Sequence, residues 1–315
     1  MDFAGQENVL IQAGDCSVVI LPQLGGKIAS VRVKGFELLQ APLAPYAPRT
    51  RTMGFEEGDA SGWDECLPSV AGCTVETAAG EVSVPDHGDL WRVAWTPLAS
   101  SANSCALQGS CFSLPLIMER TATLTETEEG YRLSLDYKLT NTGSTETPWA
   151  WSAHPSFAAE EGDFLVLPDS ITELTLEGSG GGRLGQKGDT VNWPIATTVD
   201  GDPADLSVAY PPHSGFGDKL FAGPLATSEN WCALERPSAG GIRIRVTFDP
   251  AKTPYLGLWI CHGGWPDRPG PKQTCVAMEP TTAPVDSLAI GGPWSRTLAP
   301  GETYHWPMTV DFETL

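Results

Sequence analysis

Alternation with a period of two dominates the chain. Tyr131, Leu133, Leu135, Tyr137 and Leu139 interleave with Arg132, Ser134, Asp136 and Lys138. Ile242, Ile244, Val246 and Phe248 interleave in the same way with Arg243, Arg245 and Thr247. Successive side chains of a strand point to opposite faces, so each run predicts a strand with one wet and one buried face. Shorter apolar runs predict strands over Ser17–Leu21, Ile28–Val33, Trp91–Trp95, Phe112–Met118, Ala122–Thr125, Phe164–Leu167, Leu174–Leu176, Trp231–Leu234, Leu256–Cys261 and Thr303–Val310. Turn clusters such as Asn141-Thr-Gly-Ser and Arg236-Pro-Ser-Ala-Gly-Gly separate several of them. No long stretch repeats with the 3.6-residue helical period, and Pro284–Ile290 predicts one short helical turn at most. Strands that follow one another without helices pair antiparallel, and a chain of 315 residues stacks two sheets face to face. The expected fold is therefore all-β, a large antiparallel two-sheet β-sandwich, with residues 1–315 forming a single domain. The glycine-rich stretch Glu177–Asp189 reads as a flexible surface loop. It lacks both the strand-then-helix setting and the Gly-Lys-Ser/Thr of a phosphate cradle.

Composition narrows the partners. With 39 acidic against 19 basic residues the formal charge is −20, which repels nucleic-acid backbones and anionic membranes and leaves a neutral small molecule as the better partner. No run approaches the roughly 18 apolar residues of a membrane span, and Met1–Asp15, with Asp2 and Glu7, has no basic start or long apolar core of a signal peptide. Eight cysteines occur without a C-x-x-C and read as reduced, buried thiols, so a cytoplasmic monomer or homodimer is expected. The five histidines show no H-E-x-x-H or similar ligand spacing, and there is no G-x-S-x-G. A protein-built metal site and a serine nucleophile thus lack support, no cofactor is implied, and acid–base chemistry remains.

Ordered segments then carry a resemblance. Gly25-Gly-Lys-Ile-Ala-Ser-Val-Arg32, Gly62-Trp-Asp-Glu-Cys-Leu-Pro68, Asp86-His-Gly-Asp-Leu-Trp91, Trp151-Ser-Ala-His-Pro-Ser-Phe157, Asp218-Lys-Leu-Phe221, Thr253-Pro-Tyr-Leu-Gly-Leu-Trp259 and Glu279-Pro-Thr-Thr-Ala-Pro284 resemble, in this order, the galactose mutarotase (aldose 1-epimerase) superfamily. The resemblance implies a sugar pocket on one concave face of the sandwich, a glutamate base and a histidine acid. Glu279 matches the base and His154 the acid. His87 matches a second histidine on the ring-oxygen side of the sugar, and Asp218 an aspartate that holds sugar hydroxyls. The pattern departs from the family at Ala153, where asparagine is usual before the acid histidine, and at Asp89, where a second glycine is common. The family's sugar-binding arginine has no match, its place being taken by Gly62-Trp-Asp-Glu.

Mutarotation explains why these residue types are needed. A base removes the proton of the anomeric hydroxyl while an acid protonates the ring oxygen. The ring opens, C1 turns, and closure returns both protons. Eleven tryptophans are many for this length, and flat rings stack on apolar sugar faces. Trp63, Trp91, Trp151 and Trp259 lie within the matching segments, so they join Asp64 and His262 as candidate substrate-binding residues. Two other readings stay open on the sequence: a hexose-6-phosphate epimerase, which needs a cationic pocket that Arg49, Arg51, Lys219, Arg268 and Lys272 could supply, and a carbohydrate-binding protein without turnover.

Overall fold

The computed structural model describes residue 3 and residues 5–315; Met1, Asp2 and Ala4, part of the expected acidic start, lie outside the described residues. Two large antiparallel sheets stack face to face. The first runs, in spatial order, through Val9–Ala13, Cys16–Leu21, Lys27–Val33, Trp63–Cys66, Ser152–Ala158, Thr274–Thr281, Tyr255–His262, Phe216–Ala222, Glu173–Ser179 and Thr190–Asn192. The second runs through Phe164–Val166, Trp231–Arg236, Ile242–Phe248, Thr303–Thr314, Gly130–Asn141, Leu116–Glu126, Ser104–Ser110 and Thr96–Ser100. Three two-stranded ribbons complete the β structure, and the helical segments are single 3-10 turns. Among the described residues no helix is long and apolar enough to cross a membrane.

Alternation along the first sheet sorts its residues. Trp63, Ala153, Phe157, Leu258 and Met278 are buried between the sheets, where they meet Met118, Leu135, Trp306 and Val310 of the second. Burial of this apolar area is the main stabilising term. One polar group sits among these residues. Glu65 accepts hydrogen bonds from Arg120 Nη1 at 2.9 Å, Tyr137 Oη at 3.0 Å and Trp151 Nε1 at 2.9 Å. Arg120 and Tyr137 belong to the second sheet, so the carboxylate ties the two layers in one register.

Both long alternating runs form strands as predicted, at Gly130–Asn141 and Ile242–Phe248. Trp91–Trp95 does not. It is a 3-10 turn, Leu90–Arg92, followed by irregular chain. Tertiary bonds override its strand propensity: Asp89 takes the backbone N–H groups of Phe112 and Ser113, and buried Arg92 donates to the carbonyls of Met53 and Asp86. At Pro284–Ile290 the chain makes only one hydrogen-bonded turn, Ile290 N to the Ser287 carbonyl at 3.1 Å, while the Asp286 carbonyl accepts from the backbone of Val70 and Ala71. Nor is Glu177–Asp189 all loose surface. It continues a strand to Ser179, buries Leu184, and is anchored by Arg183 on Asp218.

Removing one partner of a buried ion pair leaves a charge uncompensated, at a cost of about 3–5 kcal/mol. Arg120→Ala is expected to lose that much in urea denaturation. The double replacement Glu65→Leu with Arg120→Met should recover part of the loss, since Tyr137 Oη and Trp151 Nε1 are then left without their acceptor, and two equally destabilised variants would show that the tie does not act as a pair.

Candidate active site

The outward face of the first sheet carries the polar half of the alternation. Ser152 stands opposite Thr281 and Ser156 opposite Ala277, a register that sets His154 across from Glu279. Pro155 has no N–H to give the ladder, and no pairing is formed between those two points. The two side chains approach from adjoining strands, 125 positions apart in sequence, with His154 Nε2 3.7 Å from Glu279 Oε1. Glu279 is fully buried, and its Oε1 has no hydrogen-bond partner. Its Oε2 is held by the Lys219 ammonium and lies 3.4 Å from Ser152 Oγ.

Lys219 reaches Glu279 from two strands away. The strand between them presents Gly257 in register with Glu279, and a Cβ there would come within 3.0 Å of Oε2 and 3.1 Å of the Phe221 ring. The missing side chain opens the line from ammonium to carboxylate. Beyond Lys219, Asp286 Oδ1 is 3.7 Å from Nζ and has no hydrogen-bond partner.

His154, Lys219 and Asp286 border a cleft of about 170 Å³, lined also by Phe55, Asp86, His87, Trp259, Trp265 and Gln273, and Glu279 is buried against His154 and Lys219. His87 stacks on Phe55 with ring centroids 3.8 Å apart and lies 5.5 Å from the His154 ring, while its Nδ1 meets Asp86 at 2.7 Å. Its φ of 57° is unusual for a non-glycine residue. Gly88 follows because the Leu67 carbonyl would lie 2.2 Å from any Cβ. Trp259 is oriented by a 2.9 Å bond from Nε1 to Gln273 Oε1, and Gln273 is fixed in turn by the Ala60 carbonyl.

The sequence-level candidates thus divide. His154, His87 and Trp259 line the cleft, and Glu279 meets His154 from its buried position beside it. Trp91 stands beside it, packed edge-on to Phe55 and sandwiched with Arg92 and Arg49. Asp64 is on the same face, opposite His154 in register, yet its carboxylate is engaged by buried Lys27. Four candidates fall elsewhere. Trp63 and Trp151 point between the sheets, Trp151 onto Glu65. His262 is buried against Phe216 and Tyr210 with neither ring nitrogen bonded. Asp218 points away from the cleft, with its carboxylate occupied by Arg183 and by Ser179 Oγ at 2.6 Å. Alternation explains this last displacement: a one-residue step exchanges Asp218 for Lys219 on the site face. Lys219 entered the sequence reasoning only as a cation for a phosphorylated sugar, and Phe55, Val70, Ala71, Gln273 and Asp286 line the cleft without having been singled out.

Electrostatics follow from burial. Desolvation lowers the His154 pKa to about 4, opposed by the Glu279 carboxylate and reinforced by His87 and Lys219. Burial likewise pushes Lys219 down, but the carboxylates of Glu279 and Asp286 prevail and raise it, so it stays an ammonium. Asp286 is raised, first by burial and then by Glu279, against the pull of Lys219. Burial also opposes the charge on Asp86, yet its bond to His87 holds that carboxyl below the ordinary value.

No protein-family model matches the chain, and no curated protein matches it. Solved structures do. The Slr1438 protein of Synechocystis sp. PCC 6803 superposes with a TM-score of 0.72 at 16% identity, covering 100% of this chain and 99% of that one. A candidate aldose 1-epimerase of Escherichia coli K12 gives a TM-score of 0.70 at 18% identity, covering 99% and 100%. A galactose mutarotase-like protein of Lactobacillus casei ATCC 334 gives 0.63 at 17%, covering 98% and 100%. The class follows from these matches: the chain has the galactose mutarotase-like β-sandwich fold. At such identities the likeness fixes architecture, and activity has to be argued from the site.

Two buried histidines with pKa values near 4 make stability depend on acid. His154 and His262 both fall from 6.5 to about 4 on folding, so between those values the unfolded chain binds more protons. Stability therefore rises with pH through this window and is lost as pH falls through it. Urea denaturation at pH 5 is expected to show about 2 kcal/mol less stability per histidine than at pH 7. His262→Phe should flatten that dependence, and a slope unchanged in the variant would refute the assignment.

Proposed function

We propose that the protein is an aldose 1-epimerase-like isomerase that interconverts the α and β anomers of a free sugar, with Glu279 as base and His154 as acid. The observation that carries this reading is the Glu279–His154 pair itself, a buried, partnerless carboxylate oxygen 3.7 Å from an imidazole that lines a cleft walled by Phe55, Trp259 and Trp265. Aromatic walls suit the apolar faces of a pyranose, and convergent polar atoms suit its hydroxyls.

In this mechanism Glu279 Oε1 takes the anomeric proton while His154 delivers one to the ring oxygen. The open aldehyde turns about C1–C2. In closure His154 recovers its proton from the hydroxyl at C5, and Glu279 returns its own to the new anomeric oxygen. One proton shared by the pair serves both directions. The glutamate also supports the histidine, since its charge is what raises the imidazole against burial. His87, fixed by Asp86 and stacked on Phe55, stands beside His154 and would border the ring-oxygen side of the sugar.

A hexose phosphate fits less well. Arg49, Arg51, Arg268 and Lys272 are absent from the cleft lining, and Lys219, the one cation that lines it, is already shared by two carboxylates.

Glu279→Gln is expected to slow anomer exchange by about 10²–10⁴-fold in an NMR or polarimetric assay across several aldoses, since each such catalyst contributes that much. A variant matching wild type would remove Glu279 from the mechanism. kcat/KM reports the protonation state of the free enzyme, in which His154 is mostly neutral at pH 7. With the spontaneous rate subtracted, it should rise by up to about tenfold per unit as pH falls from 8 towards 5. A flat or falling profile over that range would exclude His154 as the acid.

A further inference from the structure

The mechanism above gives no role to Lys219 or Asp286. Across the sheet the order is His154, Glu279 and Lys219, and Asp286, on the segment that follows the Glu279 strand, sets Oδ1 3.7 Å from Lys219 Nζ. Glu279 presents a partnerless Oε1 towards His154, and Asp286 presents a partnerless Oδ1 beyond Lys219. The ammonium between them carries three N–H donors. One serves Glu279 Oε2, and the Asp286 oxygen at 3.7 Å is too far for a good second bond. The site therefore brings together a buried acceptor, a cation with donors to spare, and a second acceptor that lines the cleft. Buried polar atoms left in this way have a substantial cost unless water or a ligand satisfies them.

We infer that Lys219 and Asp286 form a hydroxyl-recognition subsite that selects aldoses bearing a free 2-hydroxyl group. The inference rests on the function proposed above. C1 of a pyranose has two ring neighbours, the ring oxygen and C2. If His154 faces the ring oxygen and Glu279 the anomeric hydroxyl, the next group along the line is the hydroxyl on C2. That hydroxyl both donates and accepts, so it gives its proton to Asp286 Oδ1 and accepts from Lys219 Nζ, while the anomeric hydroxyl gives to Glu279 Oε1. Vicinal hydroxyls thus complete every open position of the line.

The subsite is also built to stay in place. The Asp286 carbonyl accepts from Val70 N at 3.0 Å, Ala71 N at 2.7 Å and Ser69 Oγ at 3.1 Å, which fixes its backbone against the far wall of the cleft. Gly257 keeps the space between Lys219 and Glu279 clear. Asp218, turned away and saturated by Arg183 and Ser179, offers no oxygen to a ligand here.

The test is binding discrimination, read by saturation-transfer NMR titration and independent of turnover. D-glucose, D-galactose and D-xylose are each compared with the 2-deoxy form. In the wild-type protein, loss of the 2-hydroxyl is expected to weaken binding about tenfold or more, since buried charged groups then lose a partner. Asp286→Asn keeps the shape of the side chain and its backbone anchors, so it should fold. It is expected to bring parent and 2-deoxy sugars within about twofold of each other by weakening the parent. Thermal melting checks that it is folded, and Asp286→Ala serves as a second variant if the first is not. Equal wild-type affinity for both forms, an unchanged preference in the folded variant, or no binding of any of the sugars would overturn the inference. Discrimination without anomer exchange would sink the epimerase reading and leave the subsite standing. Exchange without discrimination would do the reverse.

Discussion

The constraint on which the molecule depends is the bond between its layers at Glu65. A buried carboxylate is tolerated because three donors surround it, two of them on the opposite sheet. Pleating then fixes what its neighbours do. With Glu65 held inward, Asp64 and Cys66 must face outward, and the register carries the same alternation to Ala153 and His154 on the next strand. A slip of one residue would turn the imidazole into the core. The layer that is hardest to desolvate therefore also determines which side chains meet the ligand.

On that outward face the charges form one linked system. Glu279 raises His154 against the effect of burial, Lys219 fixes Glu279, and Asp286 helps to keep Lys219 charged. Glu279 and Lys219 both act on the His154 imidazole, and Glu279 and Asp286 both act on the Lys219 ammonium. The arrangement concentrates perturbed groups in one cleft, as functional sites do, whereas the second low-pKa histidine, His262, is isolated among aromatic rings.

Much of the architecture was legible in the sequence because its signals are local. The alternation of 131–139 and 242–248 names strands directly, and the absence of helical periodicity excludes other classes. The catalytic candidates were legible through ordered segments, none of which specifies contact by itself. Pattern failed where long-range bonds decide. Trp91–Trp95 is held out of any sheet by Asp89 and Arg92, and the choice between Asp218 and Lys219 depends on a strand's facing, which the seven-residue strand Phe216–Ala222, buried almost throughout, does not reveal. Asp286 lies in an irregular segment with no periodic signal at all, and only the folded chain shows its free oxygen beside an ammonium.

The position of Glu279 has a consequence for biosynthesis. The strand Thr274–Thr281 sits between Ser152–Ala158 and Tyr255–His262 in the middle of the first sheet, so it must enter between partners made earlier. A ribosome that has released the first 270 residues has produced both neighbours but not the strand that joins them, leaving two unsatisfied edges side by side. Such edges attract other chains, so the interval before this late insertion, like that before Thr303–Thr314 enters the middle of the second sheet, exposes a nascent copy to association with its neighbours on the same message.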